Sequence, residues 1–348
     1  MSGRALLRIS LAVCAFIVMA TGAACDRDGG GGATTTGGGA SAKKYTIAVI
    51  PKGTTHEFWK SVHAGAAKAG EELGVEIIWK GPLKEDDRAS QIETVENFVT
   101  RRVSGIVLAP LDETALVVPV NNAVREGVPV VIIDSGLKSE DYVSFVATDN
   151  YKGGQMAGEK LAELLGHKGK VVMLRYAVGS ASTDQRESGF MDAIKKHPDI
   201  QVVSSNQYGG ATKDSALQAS ENLLAPLKSG GTSSGLSVDG IFCPNESTTF
   251  GMLRALQGVG AAGKVKFVGF DASSELVAAM KDGQIDALVV QNPMNMGYLG
   301  VKTMVQKLRG EPVEKRIDTG ATLVTKQNMT EPQVAELLNP DLKKWLKE

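Results

Sequence analysis

The sequence has few cysteines. Only three occur in 348 residues, Cys14, Cys25 and Cys243. The first two lie in or directly after an apolar N-terminal segment, which leaves Cys243 alone in the rest of the chain. One cysteine cannot form an intramolecular disulfide, so the pattern excludes a small fold that depends on disulfides. The roughly 300 remaining residues are enough to bury hydrophobic cores without them, and their number predicts two lobes.

The chain also lacks an excess of either charge. It has 38 basic and 39 acidic residues, with a formal net charge of −1. No basic tract and no helix-turn-helix pattern precedes Tyr45, so nothing indicates binding to nucleic acid. After the first 24 residues, no apolar run is long enough to span a bilayer. We therefore expect no nucleic-acid partner and no membrane-spanning segment.

Catalytic and metal-binding motifs are missing as well. The sequence contains no nucleophile-elbow motif, no HExxH, no CxxC and no Walker A loop. Its four histidines are scattered along the chain, at His56, His63, His167 and His197. The acidic pairs at 71–72 and 86–87 are better explained as solvated charges than as acid/base pairs. The sequence predicts no catalytic residues, no metal and no cofactor.

Residues 1–24 predict a signal peptide for export. Their apolar segment, 11–20, is too short to span a bilayer comfortably and leads into small residues before Cys25. This pattern resembles a bacterial lipoprotein signal, in which the cysteine carries the lipid. Gly22 stands where such signals usually have leucine. The alternative is ordinary secretion, with cleavage near Ala24.

Residues 25–43 predict a lipid anchor followed by a flexible linker. The stretch DRDGGGGATTTGGGASA is rich in Gly and Thr, with almost no apolar side chains, and such a composition cannot form a core. Together with the signal, it predicts a periplasmic or extracytoplasmic protein that is attached to the bacterial membrane by its lipid alone.

After Tyr45, short apolar strands alternate with amphipathic helices. The first unit is a strand at 47–50, a loop, and a helix at 60–73. The alternation restarts near residue 150 and ends with a long helix at 298–308. Repetition of strand and helix at this spacing is typical of a doubly wound parallel sheet. The fold class is therefore α/β, with two similar halves in succession.

Polar side chains directly follow several predicted strands. They are Lys52, Asp134, Asn245, Asp271 and Gln291. Ligands in open parallel sheets lie beyond the carboxyl ends of the strands, so these side chains are candidates for one shared site. For any one of them, a helix cap or turn residue is an equally good explanation. Five in the same topological place argue for a binding site.

The loop after the first strand indicates the kind of ligand. In place of a Gly-rich phosphate loop it carries Lys52, His56, Phe58 and Trp59. Flat aromatic rings can pack against the C–H groups of a sugar, and carboxylates such as Asp134 can accept hydrogen bonds from neighbouring hydroxyls. The alternative is that the aromatic pair is simply a buried helix face. We expect a neutral, hydroxyl-rich small molecule.

The order of motifs from 45 to 327 resembles the type I periplasmic binding proteins of bacterial sugar uptake, close to their ribose-binding members. The matching motifs include GVPVVIIDS, GIFCPNESTTFGMLRAL, KVKFVGFD and VVQNPMNMGYLGV. The resemblance implies two doubly wound parallel-sheet lobes joined by a three-strand hinge. It places one lobe at 45–148 with 292–320, and the other at 149–291 with 321–348.

The resemblance also assigns pocket residues one by one. It implies paired aromatics at Phe58 and Trp59, together with polar contacts from Asp134, Asn245, Asp271 and Gln291. The chain departs from ribose binders at four positions, Lys52, His56, Ser135 and Asp184. Lys52, Asp134 and the pair Asp184-Gln185 look instead like the branch that binds rhamnose-type sugars or a furanosyl autoinducer.

Charge and family together predict the function. Three aspartates, Asp134, Asp184 and Asp271, would make a buried anionic ligand costly, so a neutral sugar or polyol fits best. Lys52 is either a ligand contact or a structural salt bridge. The resemblance implies a monomeric, non-enzymatic binding protein that delivers its ligand to the permease of an ABC importer. Alternatives are a sensory receptor for a chemoreceptor or kinase, an enzyme, and a polyamine binder.

Overall fold

The structure is a computed structural model that describes residues 44–229 and 231–346. The predicted signal peptide (1–24), the proposed lipid site Cys25 and the linker (25–43) lie outside the described residues. No helix within the described ranges is long and apolar enough to cross a membrane.

The first lobe is built on a six-stranded sheet in which all neighbouring strands are parallel. Its strands are β1 (Thr46–Ile50), β2 (Glu76–Trp79), β3 (Gly105–Leu108), β4 (Val130–Ile133), β5 (Phe145–Ala147) and β11 (Arg316–Asp318). They lie in the order β11-β5-β4-β3-β1-β2. Its helices are α1 (Glu57–Leu73), α2 (Arg88–Thr100), α3 (Val117–Arg125) and α9 (Pro293–Leu308). Helices α1 and α9 cover one face and α2 and α3 the other, so apolar runs such as VVII are buried on both sides.

The second lobe repeats this plan with one antiparallel edge strand. Its strands are β6 (Gly169–Arg175), β7 (Ile200–Tyr208), β8 (Gly240–Phe242), β9 (Lys266–Phe270), β10 (Ala287–Gln291) and β12 (Ala321–Thr325). They lie in the order β12-β10-β9-β8-β6-β7, and only β12 runs antiparallel to its neighbour. Its helices are α4 (Asn150–Leu164), α5 (Ala181–Ile194), α6 (Lys213–Leu224), α7 (Glu246–Gly258) and α8 (Ser274–Lys281). The two parallel-sheet α/β lobes that the sequence predicted are therefore confirmed.

Three segments connect the two sheets, one after each of β5, β10 and β11. Two of them are bonded to each other. The Thr148 hydroxyl donates to the Gly320 carbonyl at 3.1 Å, and the Asp149 amide donates to the Asp318 carboxylate at 3.2 Å. These bonds hold the crossings side by side, as the three-strand hinge of the predicted fold requires.

The C-terminal tail contacts both lobes. Helix α10 (Pro332–Leu338) packs into the apolar core of the second lobe. The short helix α11 (Leu342–Leu346) lies against α1 of the first lobe, where the ammonium of Lys68 is 5.7 Å from the centre of the Trp345 ring. We expected 321–348 to continue the second lobe, and its last helix instead returns to the first.

Close glycine contacts set the positions of two helix pairs. A Cβ at Gly65 of α1 would overlap the Met294 carbonyl oxygen of α9, and a Cβ at Gly189 of α5 would overlap the Tyr151 carbonyl oxygen of α4. Only glycine allows backbones to approach this closely. The first turn of α1 carries the aromatic pair and α5 carries Arg186, so these contacts also position the candidate site.

Candidate functional site

The candidate site is the cleft between the lobes, at the carboxyl ends of the strands of both sheets. In this arrangement its cavity has a volume of about 30 Å³, far below that of a small-molecule pocket, so the lobes are closed on each other. The lining side chains are Lys52, His56, Phe58, Trp59, Glu85, Asp134, Tyr176, Ser182, Thr183, Arg186, Asn245, Glu246, Asp271 and Gln291. Eight of the eleven ligand-binding residues expected from the sequence are among them.

Two carboxylates occupy equivalent positions in the two lobes. Asp134 follows β4 and Asp271 follows β9, and both are buried. Their backbones have left-handed conformations, with φ of 62° and 67°, which cost free energy for any residue other than glycine. Strain of this kind concentrates at functional sites. Asp271 does not cap the helix that follows it, because Ser273 caps α8.

Asp271 is held from three sides. Its carboxylate accepts a hydrogen bond from Gln291 Nε2 at 2.7 Å and one from the Glu246 amide at 3.2 Å. The guanidinium of Arg186 lies 3.7 Å away. Burial nevertheless raises the pKa of Asp271, although the charge of Arg186 opposes the shift. The carboxylate is therefore fixed in one orientation before any ligand is considered.

Lys52 connects the lobes. Its ammonium forms an ion pair with Asp134 at 3.1 Å within the first lobe. It also donates to the hydroxyls of Ser180 and Ser182, at 3.2 and 3.0 Å, in the second lobe. These three bonds use all three ammonium protons. Lys52 is thus a structural salt bridge and a cross-lobe tie.

The aromatic pair forms one wall of the cleft. Phe58 and Trp59 lie in the first turn of α1 and are 8% and 2% exposed. Their ring centres are 4.9 Å apart and the rings are perpendicular. The Trp59 indole N–H donates to Glu85 at 2.7 Å, which fixes the ring. The pair lines the cleft and also packs into the apolar core of the first lobe.

His56 and Glu85 form a buried ion pair beside the aromatic wall. Burial would lower the pKa of His56, but the Glu85 carboxylate outweighs it and raises that pKa to about 9. Burial would likewise raise the pKa of Glu85, and the charge of His56 lowers it to about 2. Both groups are therefore charged at neutral pH. Glu85 also accepts a hydrogen bond from the Tyr176 hydroxyl of the second lobe, at 2.7 Å.

Two polar atoms in the cleft have no hydrogen-bond partner among the described residues. They are Nη2 of Arg186 and Oε1 of Gln291, and both are buried. The other nitrogens of Arg186 are occupied, since Nε donates to Asn150 at 2.8 Å and Nη1 donates to the Pro244 carbonyl at 2.9 Å. Unpaired buried polar groups are costly, so a free donor and a free acceptor lining one cleft call for a ligand that supplies both roles.

Asn245 and Glu246 begin α7. Asn245 is the N-cap, and its side chain accepts a hydrogen bond from the Thr248 amide at 3.2 Å. Glu246 reaches across the cleft and accepts from the amides of Glu57 and Phe58, at 3.4 and 3.2 Å. Burial raises the pKa of Glu246 to about 7. Asn245 thus both caps a helix and lines the cleft.

Three of the expected residues do not line the cleft. Asp184 is paired with Arg175 at 3.2 Å and its side chain is 41% exposed. Gln185 is exposed. Ser135 is buried, where its hydroxyl accepts a hydrogen bond from the Ser182 amide of the other lobe at 3.0 Å. Helix α5 turns Arg186 inward, and the preceding two side chains therefore point away from the cleft.

The structure adds lining residues that the sequence reading missed. Glu85 lies in the loop between β2 and α2, directly before the acidic pair 86–87 that the sequence indicated to be solvated charges. Tyr176 follows β6, so its place after a strand was a usable signal. Among the described residues, no three His, Cys, Asp or Glu side chains are grouped so that they could hold a metal ion.

Comparison with known proteins gives a consistent result. The profile of the family described as periplasmic binding protein domain matches residues 47–312. Ribose import binding protein RbsB of Haemophilus influenzae is 32% identical over 280 residues, which cover 80% of this chain and 91% of that protein.

Two solved structures are similar over their whole length. A carbohydrate transporter solute binding protein of Agrobacterium radiobacter, in complex with D-arabinose, has a TM-score of 0.80 and 36% identity. The match covers 86% of this chain and 100% of that one. An ABC transporter solute binding protein of Agrobacterium vitis with bound D-fucose has a TM-score of 0.79 and 38% identity, covering 84% and 100%. The chain therefore belongs to the family of type I periplasmic binding proteins.

Proposed function

We propose that this protein binds one molecule of a neutral sugar or polyol in the cleft between its lobes and delivers it to the permease of an ABC importer. The observation that carries this proposal is the pair of unpartnered buried atoms, Arg186 Nη2 and Gln291 Oε1. A hydroxyl is both donor and acceptor, so vicinal hydroxyls satisfy such a pair without bringing a charge into the cleft.

The charges of the cleft favour a neutral ligand. Each of three acids already faces one base: Asp134 with Lys52, Glu85 with His56, and Asp271 with Arg186. A fourth acid, Glu246, lies 3.8 Å from Lys213. A charged ligand would add an uncompensated charge to this buried set, which is costly. The same balance argues against a polyamine, because no acid is left unpaired for it.

We assign the ligand contacts to six of the expected residues and to Arg186, which the sequence did not predict. These are Phe58 and Trp59 on the apolar side, and Asp134, Arg186, Asn245, Asp271 and Gln291 on the polar side. Lys52 orients neighbouring groups, because its three protons are taken by Asp134 and two serines, and Glu85 holds the ring of His56 through Nδ1. We leave Asp184 and Gln185 out of the site, since they lie outside the cleft. Most of the argument for a rhamnose or autoinducer ligand rested on these two residues.

The related proteins favour a single sugar ring or a short polyol as the ligand. The cavity of about 30 Å³ in this arrangement is too small for a sugar, so the lobes have to move apart to admit one. The related proteins carry names or ligands of the same size class, namely ribose, D-arabinose and D-fucose. We propose an aldose or polyol of this class as the ligand.

Lobe closure supplies the signal to the permease. Ligand groups that touch both lobes stabilise the closed arrangement, because they can make both sets of contacts only there. In the present arrangement the lobes already meet through direct bonds such as that of Lys52 with Ser182. The hinge segments after β5 and β11 are the elements that would absorb the motion.

A thermal-shift screen tests the proposed ligand class. The panel contains neutral monosaccharides, polyols and furanosyl compounds, with sugar phosphates, sugar acids and polyamines as charged controls. A ligand that binds only the folded state raises the melting temperature. We expect one or a few neutral compounds to do so, and calorimetry should give one site per chain. Stabilisation by the charged compounds alone would contradict the proposal.

Attachment to the membrane is proposed separately. We place the lipid on Cys25, after removal of 1–24, because small residues lead into this cysteine and a Gly-rich linker follows it. Expression in a bacterium followed by membrane fractionation tests this assignment. The wild-type protein should sediment with membranes, and Cys25→Ser should appear in the soluble fraction. Equal partition of the two would exclude lipidation at this residue.

A further inference from the structure

Glu85 is the only carboxylate in the described part of the cleft that joins three polar side chains from both lobes. Its Oε1 accepts from the His56 ring and from the Trp59 indole, and its Oε2 accepts from the Tyr176 hydroxyl. His56 and Trp59 belong to the start of α1 in the first lobe, whereas Tyr176 follows β6 in the second. Neither the sequence motifs nor the family resemblance assigned a role to Glu85.

Because of these contacts, Glu85 is better suited to holding neighbouring side chains in place than to contacting a ligand. Both of its oxygens are engaged, and the residue is 8% exposed. The pKa of Glu85 is lowered to about 2 by His56, in spite of burial, so the carboxylate stays charged over the whole physiological range. A charged acceptor makes strong hydrogen bonds. Glu85 therefore fixes the rings around it.

The bond between Glu85 and Tyr176 also bounds the ligand space. The two oxygens are 2.7 Å apart across the cleft, so no ligand atom fits between them. The bond from Lys52 to Ser182, at 3.0 Å, forms a second boundary of the same kind. Both ties line the same cavity as the carboxylate of Asp271.

We propose that Glu85 is a positioning residue that determines ligand size: by tying Tyr176 to His56 and Trp59, it closes one end of the cleft and limits the ligand to a single ring or a short polyol. This inference rests on the proposed sugar-binding function. Removing the tie should weaken binding of one-ring sugars and relax the discrimination against larger ones.

The test compares two conservative variants and their combination. Tyr176→Phe keeps the ring and removes only the cross-lobe bond, and Glu85→Gln keeps the shape and removes the charge. Affinities are measured by calorimetry for D-ribose, D-arabinose, D-allose and xylitol. We expect Tyr176→Phe to lose about tenfold in affinity for the preferred compound, as for one hydrogen bond to a charged acceptor. Glu85→Gln should lose at least as much, and the double variant no more than the worse single variant.

Surface substitutions provide the matched controls. Tyr208 is 40% exposed and Glu163 lies on the surface, where it pairs with Lys160, so Tyr208→Phe and Glu163→Gln should keep wild-type affinity. A further readout reports positioning directly. The imidazole of His56, followed by NMR, should titrate near or below its ordinary range in Glu85→Gln, whereas in Tyr176→Phe its pKa should stay raised.

Ligand size is tested with a third variant. Tyr176→Ser removes the ring. Affinities are measured for two pairs of sugars, xylose with xylobiose and glucose with maltose. In each pair, the ratio of the one-ring affinity to the two-ring affinity should fall at least tenfold. Tyr176→Ser removes a buried ring. If that variant does not fold, the affinities of Tyr176→Phe decide the test. Additive losses, or wild-type affinity in Tyr176→Phe, would overturn the role of Glu85 while leaving sugar binding intact. A wild-type protein that binds none of these sugars would overturn both proposals.

Discussion

Ligand binding should strengthen as the pH falls from 8 to 5, because of Glu246. Helix α1 has no side-chain cap of its own. Its first amides, those of Glu57 and Phe58, donate instead to Glu246 at the start of α7 in the other lobe. This contact exists only when the lobes meet, so the burial of Glu246 is coupled to closure.

The direction and size of the effect follow from the pKa of Glu246. Burial raises it from 4.5 to about 7 in the closed arrangement, although His56 and Lys213 oppose the shift and Asp271 adds to it. A carboxyl group with a raised pKa takes up a proton on closure, so closure is favoured at low pH and disfavoured as the pH rises through 7. With an ordinary pKa in the open form, affinity would gain roughly 70-fold between pH 8 and pH 5. Partial burial in the open form reduces this, and we expect about tenfold.

Calorimetry in buffers of different ionisation enthalpy measures the affinity and the number of protons taken up on binding. The wild-type protein should bind its sugar more tightly at pH 5 than at pH 8 and should take up a fraction of a proton at pH 6. Glu246→Gln should give an affinity that varies little over this range. His56 stays charged in both forms because its partner Glu85 lies on the same lobe. Affinity that rises with pH, or proton release on binding, would refute the reasoning.

Two further substitutions test separate parts of the structure. Lys52→Met should lower ligand affinity by roughly 30-fold, or about 2 kcal/mol, because two cross-lobe hydrogen bonds from a charged donor are lost; calorimetry that finds a change below twofold would contradict this. Gly65→Ala should lower the free energy of unfolding by about 3 kcal/mol or more, since its Cβ would overlap the Met294 carbonyl. Gly258→Ala, which meets no atom within 4 Å, is the matched control in chemical denaturation and should be neutral or stabilising. Equal effects of the two alanines would remove the packing argument.

Most of the fold could be predicted from hydrophobic periodicity. The buried runs at β1, β3, β4 and β9 and the helices between them follow directly from the pattern. Helix α9 begins at Pro293, five residues before the start that the pattern predicted, because proline is well accommodated in the first turn of a helix. The strands β11 and β12 were not predicted. Strand β11 has only three residues and is largely exposed, and β12 is mostly half-buried, so neither shows the continuous buried run of a central strand; both lie at the edges of their sheets.

The candidate site could also be predicted only in part from the sequence. Residues at the end of a strand or directly after it, such as Asp134, Asp271 and Gln291, could be placed from topology alone. Glu85 could not, because it sits in a loop and its role arises from partners brought in by both lobes. The side chain of Asp184 could not be placed either, since the family motif fixes its position along α5 and not the direction in which that helix turns.

A crystal structure of the protein with the sugar that gives the largest thermal shift tests the central claim most directly. The account predicts one neutral molecule in the cleft, with hydroxyl oxygens within hydrogen-bond distance of Arg186 Nη2 and Gln291 Oε1 and with its C–H face on Trp59 or Phe58. A sugar bound elsewhere, or one bound in the cleft while both atoms remain without a partner, would contradict it.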